Sequence, residues 1–199
     1  MSWLKIAAVI LAGGRASRYG GMTKGLIELG SGMTILGRMI SEIRASGPTE
    51  IAISANDPDP YAEFGLPIVA DLRPGLGPLG GIESGLSHFQ GVCRAVLFLP
   101  CDLPGISSRE IRALIAASEE SGAGVVYALN ASIFFSHPLC TLVHNGLLPD
   151  LSRLIDEGHR KIVDVWEKLG AQAVQFEDDR PFFNVNSAAD LARWKEVTS

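Results

Sequence analysis

Between Gly13 and Lys24 the chain places four glycines, two arginines and one lysine in twelve residues. Glycine lets the backbone approach an anion closely, and successive N–H groups can then form one concavity. Arg15, Arg18 and Lys24 add fixed positive charge, and an arginine fork can grip a phosphate through two parallel hydrogen bonds. The composition therefore suits a loop that holds phosphates, with a solvated surface loop as the alternative. Neither common glycine signature fits. A Walker loop needs G-x-x-x-x-G-K-[ST], whereas Lys24 here follows Thr23 and precedes Gly25. The pairs Gly13-Gly14 and Gly20-Gly21 do not supply the G-x-G-x-x-G of a dinucleotide site. A second candidate is Asp102, just past the apolar run Ala95–Pro100. A carboxylate there, facing phosphates, is a natural magnesium ligand, because magnesium combines one or two carboxylates with phosphate oxygens and water. The structural alternative is a turn or capping aspartate before Pro104.

These residues need a scaffold that brings them to one edge. Ile6–Leu11 is wholly apolar, which marks a strand buried on both faces. Ile51–Ser54, Pro67–Ala70, Ala95–Pro100, Gly124–Ala128 and Leu139–Val143 read as further strands. Helical spacing appears at Ile35, Leu36, Met39, Ile40 and Ile43, in Gly81–Phe89, and again in Leu147–Ile155 and Ile162–Leu169. Ser107 and Glu110 form a capping-box pair ahead of another helix. A last helix starts after Ser187, with Leu191 and Trp194 on its inner face. Strands alternating with helices predict an α/β fold with a mostly parallel central sheet flanked by helices. In such sheets ligands bind beyond the carboxyl ends of the strands, where the glycine loop and Asp102 both fall. The whole chain reads as one domain. A loop-like stretch from Tyr127 to Pro138 divides a nucleotide-facing half from a second half.

Bulk properties narrow the function. The chain has 199 residues, 47% hydrophobic and 20% charged, an ordinary globular composition. Its net charge of -5 argues against general nucleic-acid binding, which requires phosphate neutralisation along a backbone. Cys93, Cys101 and Cys140 are odd in number and lack C-x-x-C spacing, so they read as buried, reduced thiols. The first apolar run is too short to span a bilayer, and no cleavage-site pattern follows a longer one. The expectation is a soluble cytoplasmic protein without a membrane partner.

The loop "LAGGRASRYGGMTKGLIEL" resembles the signature of nucleotidyltransferases, and in particular that of the molybdenum cofactor guanylyltransferases, the MobA family. Tyr19 stands where that family usually has methionine, and Thr23 where it has aspartate. Further stretches resemble the same family in the same order: "VADLRPGLGPLGGIESGL", "FLPCDLPGI", "GHRKIVDVW" and "FFNVNSAADLARWKE". The resemblance covers nearly the whole chain. It implies a Rossmann-like nucleotidyltransferase fold and transfer of GMP from GTP to molybdopterin, with release of pyrophosphate.

The resemblance also implies roles for particular residues. Leu11, Ala12, Gly13, Gly14 and Arg15 would hold the triphosphate. Lys24 and Arg18 would stabilise charge on the leaving pyrophosphate, and Asp102 would hold magnesium. Asp71 would accept hydrogen bonds from the base, with Gly77, Pro78 and Leu79 in a tight turn against it. Guanine presents an N1–H and N2–H₂ edge that one carboxylate can satisfy. Arg160, Asn184 and Asn186 would face the pterin. The family has Asn-x-Asn after its second strand, where this chain has Ser54-Ala55-Asn56; Ser54 can still hydrogen-bond, with shorter reach. His137 is assigned no catalytic role. Hand-over of the product to cofactor-delivery or acceptor proteins is an expected further interaction. A related enzyme using CTP or another acceptor, and a non-catalytic nucleotide binder, share the loop and remain open.

Overall fold

The apolar run Ile6–Leu11 forms β1 at the centre of a sheet, with Ile6 to Ile10 all buried. The computed structural model describes residues 5–13, 18–19, 22–30, 32–131 and 135–198. After β1 come two small hairpins, β2 (Arg18–Tyr19) with β3 (Met22–Thr23), and β4 (Glu28–Gly30) with β5 (Met33–Thr34). A single helical turn, Lys24–Leu26, separates them. The chain continues through α1 (Ile35–Ser46), β6 (Glu50–Ser54), β7 (Ile68–Val69), α2 (Pro78–His88) and β8 (Ala95–Pro100). It ends with α3 (Ser108–Ser121), β9 (Val125–Asn130), β10 (Phe135–His144), α4 (Leu148–Asp156), α5 (Ile162–Lys168), β11 (Gln172–Phe176) and α6 (Ala188–Thr198).

Seven strands form the main sheet in the order β11-β9-β10-β8-β1-β6-β7. All pairings are parallel except the two made by β10. The expected α/β fold with a mostly parallel sheet is therefore present. Alternate residues of β1 point to opposite faces, so one face packs Ala8 and Ile10 beneath α1, α3 and α6. The other packs Ala7 and Val9 beneath α2, α4 and α5. Among the described residues no helix is long and apolar enough to cross a membrane. All three cysteines are free and buried, as their spacing predicts.

Two local expectations are corrected, and one strand is added. The stretch from Tyr127 to Pro138 is largely sheet, since Phe135, Ser136 and His137 pair with Asn130, Leu129 and Ala128. The register then shifts between His137 and Thr141 around Pro138, which has no N–H to give the ladder. The edge strand β11 has no counterpart in the sequence reading, because only one partner, β9, supports its half-exposed residues. Finally, Pro78–Gly81 is the first turn of α2 instead of part of a tight turn. Gly77 adopts φ +59° just before it, and Pro78 occupies the first turn, where its missing N–H costs nothing.

The seating of α2 on the sheet depends on two glycines one turn apart. A Cβ on Gly81 would lie 2.7 Å from Ser54 Oγ, and one on Gly85 2.7 Å from a ring carbon of Phe98. The helix backbone thus approaches β6, β1 and β8 more closely than any side chain would allow.

Candidate nucleotide site

The carboxyl ends of β1, β6 and β8 bring the chemistry-bearing residues together. Leu11 closes the β1 ladder opposite Ser54 on one side and Pro100 on the other. Beyond it, the Ala12 N–H donates to Ser54 O (2.9 Å), and the Cys101 N–H donates to Leu11 O (3.1 Å). Tyr61 anchors the same segment, its hydroxyl donating to Ala12 O at 3.0 Å. Gly13 follows, exposed, so the chain leaves the strand at a fixed point and direction. Gly14 and Arg15 lie outside the described residues, as does the Arg18 side chain.

Lys24 lies inside this edge. Its side chain is only 9% exposed, and its Nζ donates to Asp102 Oδ2 at 3.3 Å; the Asp102 side chain is 15% exposed. Nζ also donates to Asn186 Oδ1. Asp102 is positioned by β8 and by a backbone bond from the Val185 N–H to Asp102 O (2.9 Å), which brings the C-terminal segment alongside. Residues far apart in sequence, Lys24, Asp102 and Asn186, therefore form one cluster. Burial pushes the Asp102 carboxyl above the usual carboxylate range, while the Lys24 ammonium pulls it back. The same burial, with the Asp102 charge beside it, pushes the Cys101 thiol up to about 12, which keeps that thiol un-ionised.

Asp102 Oδ1 is buried and has no hydrogen-bond partner among the described residues. A buried carboxylate oxygen normally has one. Among the described residues no three His, Cys, Asp or Glu side chains come together to hold a metal. The arrangement fits magnesium, which binds through one or two carboxylates completed by substrate phosphate and water.

A second cluster lies beside α2. Asp71 is half-buried, and its carboxylate Oδ2 accepts from Asn56 Nδ2 (2.9 Å), while the Asp71 N–H donates to Asn56 Oδ1 (2.8 Å). Asn56, the one side-chain amide of Ser54-Ala55-Asn56, was not assigned to the site by sequence reasoning, which followed the Ser54 position; nothing in the sequence sets it against Asp71. Ser54 itself is buried, 3% exposed, beneath Gly81 and turned away from solvent. Leu79 is fully buried in the core, so its side chain lines no surface, whereas Gly77 and Pro78 are exposed at the helix start. Asn184 is exposed one turn of extended chain before Asn186. Arg160 does not join the Lys24 cluster. Its Nη1 donates to Ile155 O (2.7 Å) and His159 O (2.8 Å), capping the end of α4. His137 stacks on Phe182 at 4.7 Å between centroids, a packing role.

An open, mostly parallel α/β sheet with a buried lysine–aspartate pair at its carboxyl edge has the layout of a nucleotide-handling protein. The chain's relatives sharpen that class. Residues 8–173 match the model of the MobA-like NTP transferase domain, and the chain belongs to that family. It is 36% identical over 195 residues to the molybdenum cofactor guanylyltransferase of Serratia proteamaculans, covering 96% of this chain and 95% of that one. Among solved structures it resembles molybdopterin-guanine dinucleotide biosynthesis protein A from Archaeoglobus fulgidus, with TM-score 0.76, 23% identity, and 97% and 98% of the two chains covered. It also resembles Rv0371C from Mycobacterium tuberculosis in complex with manganese, with TM-score 0.68, 15% identity, and 96% and 98% covered. The two structural likenesses show the fold.

Proposed function

We propose that this chain transfers GMP from GTP to the terminal phosphate of molybdenum-bound molybdopterin. A phosphate oxygen of the pterin forms a bond to the α-phosphorus, the α–β bridging P–O bond breaks, and pyrophosphate leaves with the electron pair. The attacking oxygen is already ionised, so no general base is required. Catalysis then rests on positioning and charge neutralisation.

The observation that carries the reading is the nearly buried Lys24–Asp102 pair at the carboxyl edge, joined there by the exposed Asn186, in a chain of this family. Lys24 and Arg18 neutralise charge on the departing pyrophosphate. Leu11, Ala12, Gly13, Gly14 and Arg15 hold the triphosphate. Asp102, whose Oδ1 is left unpartnered among the described residues, would hold magnesium. That ion, when bound, supplies Lewis-acid stabilisation of the α-phosphate. Manganese in a protein of the same fold is consistent with a divalent ion there. The Asn56–Asp71 pair reads the base, with the exposed Gly77 and Pro78 beside it. Asn184, Asn186 and Arg160 face the pterin, which gives the N-terminal half to the nucleotide and the C-terminal half to the acceptor within a single domain. A cytoplasmic site of action and hand-over to cofactor-delivery or acceptor proteins complete the reading.

The test is pyrophosphate release from GTP, CTP and ATP by the purified chain, with magnesium and molybdenum-loaded molybdopterin. Release from GTP well above the other two is expected. Equal release from CTP would move the chain to the cytidylyl class, and no release from any nucleotide would overturn the reading.

A further inference from the structure

Glu83 is a carboxylate that the reaction does not call for. It lies in the middle of α2 with a side chain only 3% exposed. Its Oε1 accepts from Arg73 Nη2 (2.6 Å) and from Ser152 Oγ of α4 (2.6 Å). Its Oε2 is buried with no hydrogen-bond partner among the described residues. Burying a carboxylate with half its capacity unmet is costly, and a well-packed apolar residue usually serves stability as well or better.

What Glu83 holds suggests why it is there. Arg73 lies two residues after Asp71, and its other nitrogen, Nη1, donates to Asp156 at the end of α4. The intervening Leu72 donates its N–H to Ser84 Oγ (2.8 Å), the residue next to Glu83. Two adjacent residues of α2 thus grip two adjacent residues of the loop that carries Asp71. The loop also lies directly on α2. A Cβ on Gly80 would be 3.3 Å from Arg73 O and 3.4 Å from Asp71 Cγ. Asn56 then fixes the Asp71 carboxylate from the other side.

We propose that Glu83 is a positioning residue for base selection: through Arg73 it holds the Asp71 loop in register with Asn56, while its separate bond to Ser152 only fastens α2 to α4 and serves stability. This rests on reading Asp71 as the acceptor of the base. Arg73 is the joint, because its guanidinium bridges α2, the loop and α4 in one plane of donors. The device acts on the base end of the nucleotide and leaves the phosphate end, at Lys24, alone.

The experiment measures dissociation constants for GTP, ATP and inorganic tripolyphosphate by calorimetry on wild type, Glu83→Gln, Arg73→Met and Ser152→Ala. Glu83→Gln and Arg73→Met should each lower the GTP-over-ATP preference about tenfold, the scale of one charge-assisted hydrogen bond. Tripolyphosphate affinity should stay unchanged in both. Ser152→Ala should lower the melting temperature and leave the preference intact. An unchanged preference in the folded variants would overturn the proposal. So would a parallel loss of tripolyphosphate affinity, which signals general damage. Should Glu83→Gln fail to fold, Arg73→Met carries the test from a partly exposed side chain. A wild type that prefers another base sinks the guanylyl reading alone, and the ratio is then taken for that base. A wild type with no base preference sinks both.

Discussion

Replacing Lys24 with methionine gives the sharpest test of the nucleotide site. The change keeps an unbranched side chain and deletes the ammonium 3.3 Å from Asp102 Oδ2. At that separation two unit charges attract by about 5 kcal/mol with an effective dielectric of about 20. Desolvation offsets much of this in the intact pair, but removing one partner strands the other, which costs about 3–5 kcal/mol. In a domain of this size that lowers the melting temperature by on the order of 10 °C. The sign with pH follows from Asp102. Burial already raises its carboxyl, and Lys24 is the group that opposes the rise. Without Lys24 the folded state holds the Asp102 proton more tightly than the unfolded chain does. That stabilisation is fully present below the unfolded carboxylate value and is lost as pH rises through the folded one. The destabilisation of Lys24→Met relative to wild type should therefore be small in acid and larger at pH 8. Urea unfolding at pH 5 and pH 8 measures it, and the double variant Lys24→Met/Asp102→Leu should recover most of the loss at pH 8. Both variants should lose pyrophosphate release. A pH-independent loss, or a double variant no more stable than the single one, would refute the claim that a desolvated ion pair organises this site.

Two further changes probe the scaffold. Gly85→Ala would place a Cβ 2.7 Å from Phe98 and 3.0 Å from Val9 Cγ2, so unfolding should show a loss of about 1–3 kcal/mol, and calorimetry on the folded protein should show a reduced GTP-over-ATP preference with tripolyphosphate affinity retained. Ser107→Ala removes one half of the capping box at the start of α3 and should cost about 0.5–2 kcal/mol in urea unfolding without affecting turnover.

The parts legible in the sequence were those that local pattern decides. β1 and β8 are continuous apolar runs because both their faces are covered, and the Ser107–Glu110 box marks the start of α3 whatever surrounds it. The glycines at the start of α2 were read as a turn for a physical reason. Glycine is a poor helix former, and Gly81 answers to the sheet surface beneath, with Ser54 and Leu11 in contact range. β11 escaped because an edge strand with half-exposed residues carries little periodic signal. At the site, Lys24 and Asp102 could be named from charge and position, since Asp102 sits just past β8 at the carboxyl edge and Lys24 closes the charged glycine loop that follows β1. Asn56 and Glu83 could not. An asparagine in a loop and a glutamate in a helix are ordinary residues until the fold sets one against Asp71 and the other against Arg73.

If Lys24–Asp102 serves the phosphates and Asn56–Asp71 the base, as proposed above, the two clusters divide their labour by burial. The Lys24–Asp102 pair is nearly dry, so its charges are fixed in place before any phosphate arrives, and little reorganisation remains to be done during the reaction. One oxygen of Asp102 is taken by Lys24 and the other is left without a partner among the described residues, so a single carboxylate can hold the lysine and still offer a ligand. The Asn56–Asp71 pair sits closer to solvent, where selecting a base requires a defined pattern of donors and acceptors more than a strong field. α2 joins the two. Its first turns touch Ser54 and Leu11 through Gly81, its middle grips the Asp71 loop through Glu83 and Ser84, and its glycine face locks it to the strands that carry Leu11 and Asp102. A helix seated that tightly fixes the spacing between the phosphate end and the base end, so loosening it should degrade base selection before it degrades phosphate binding.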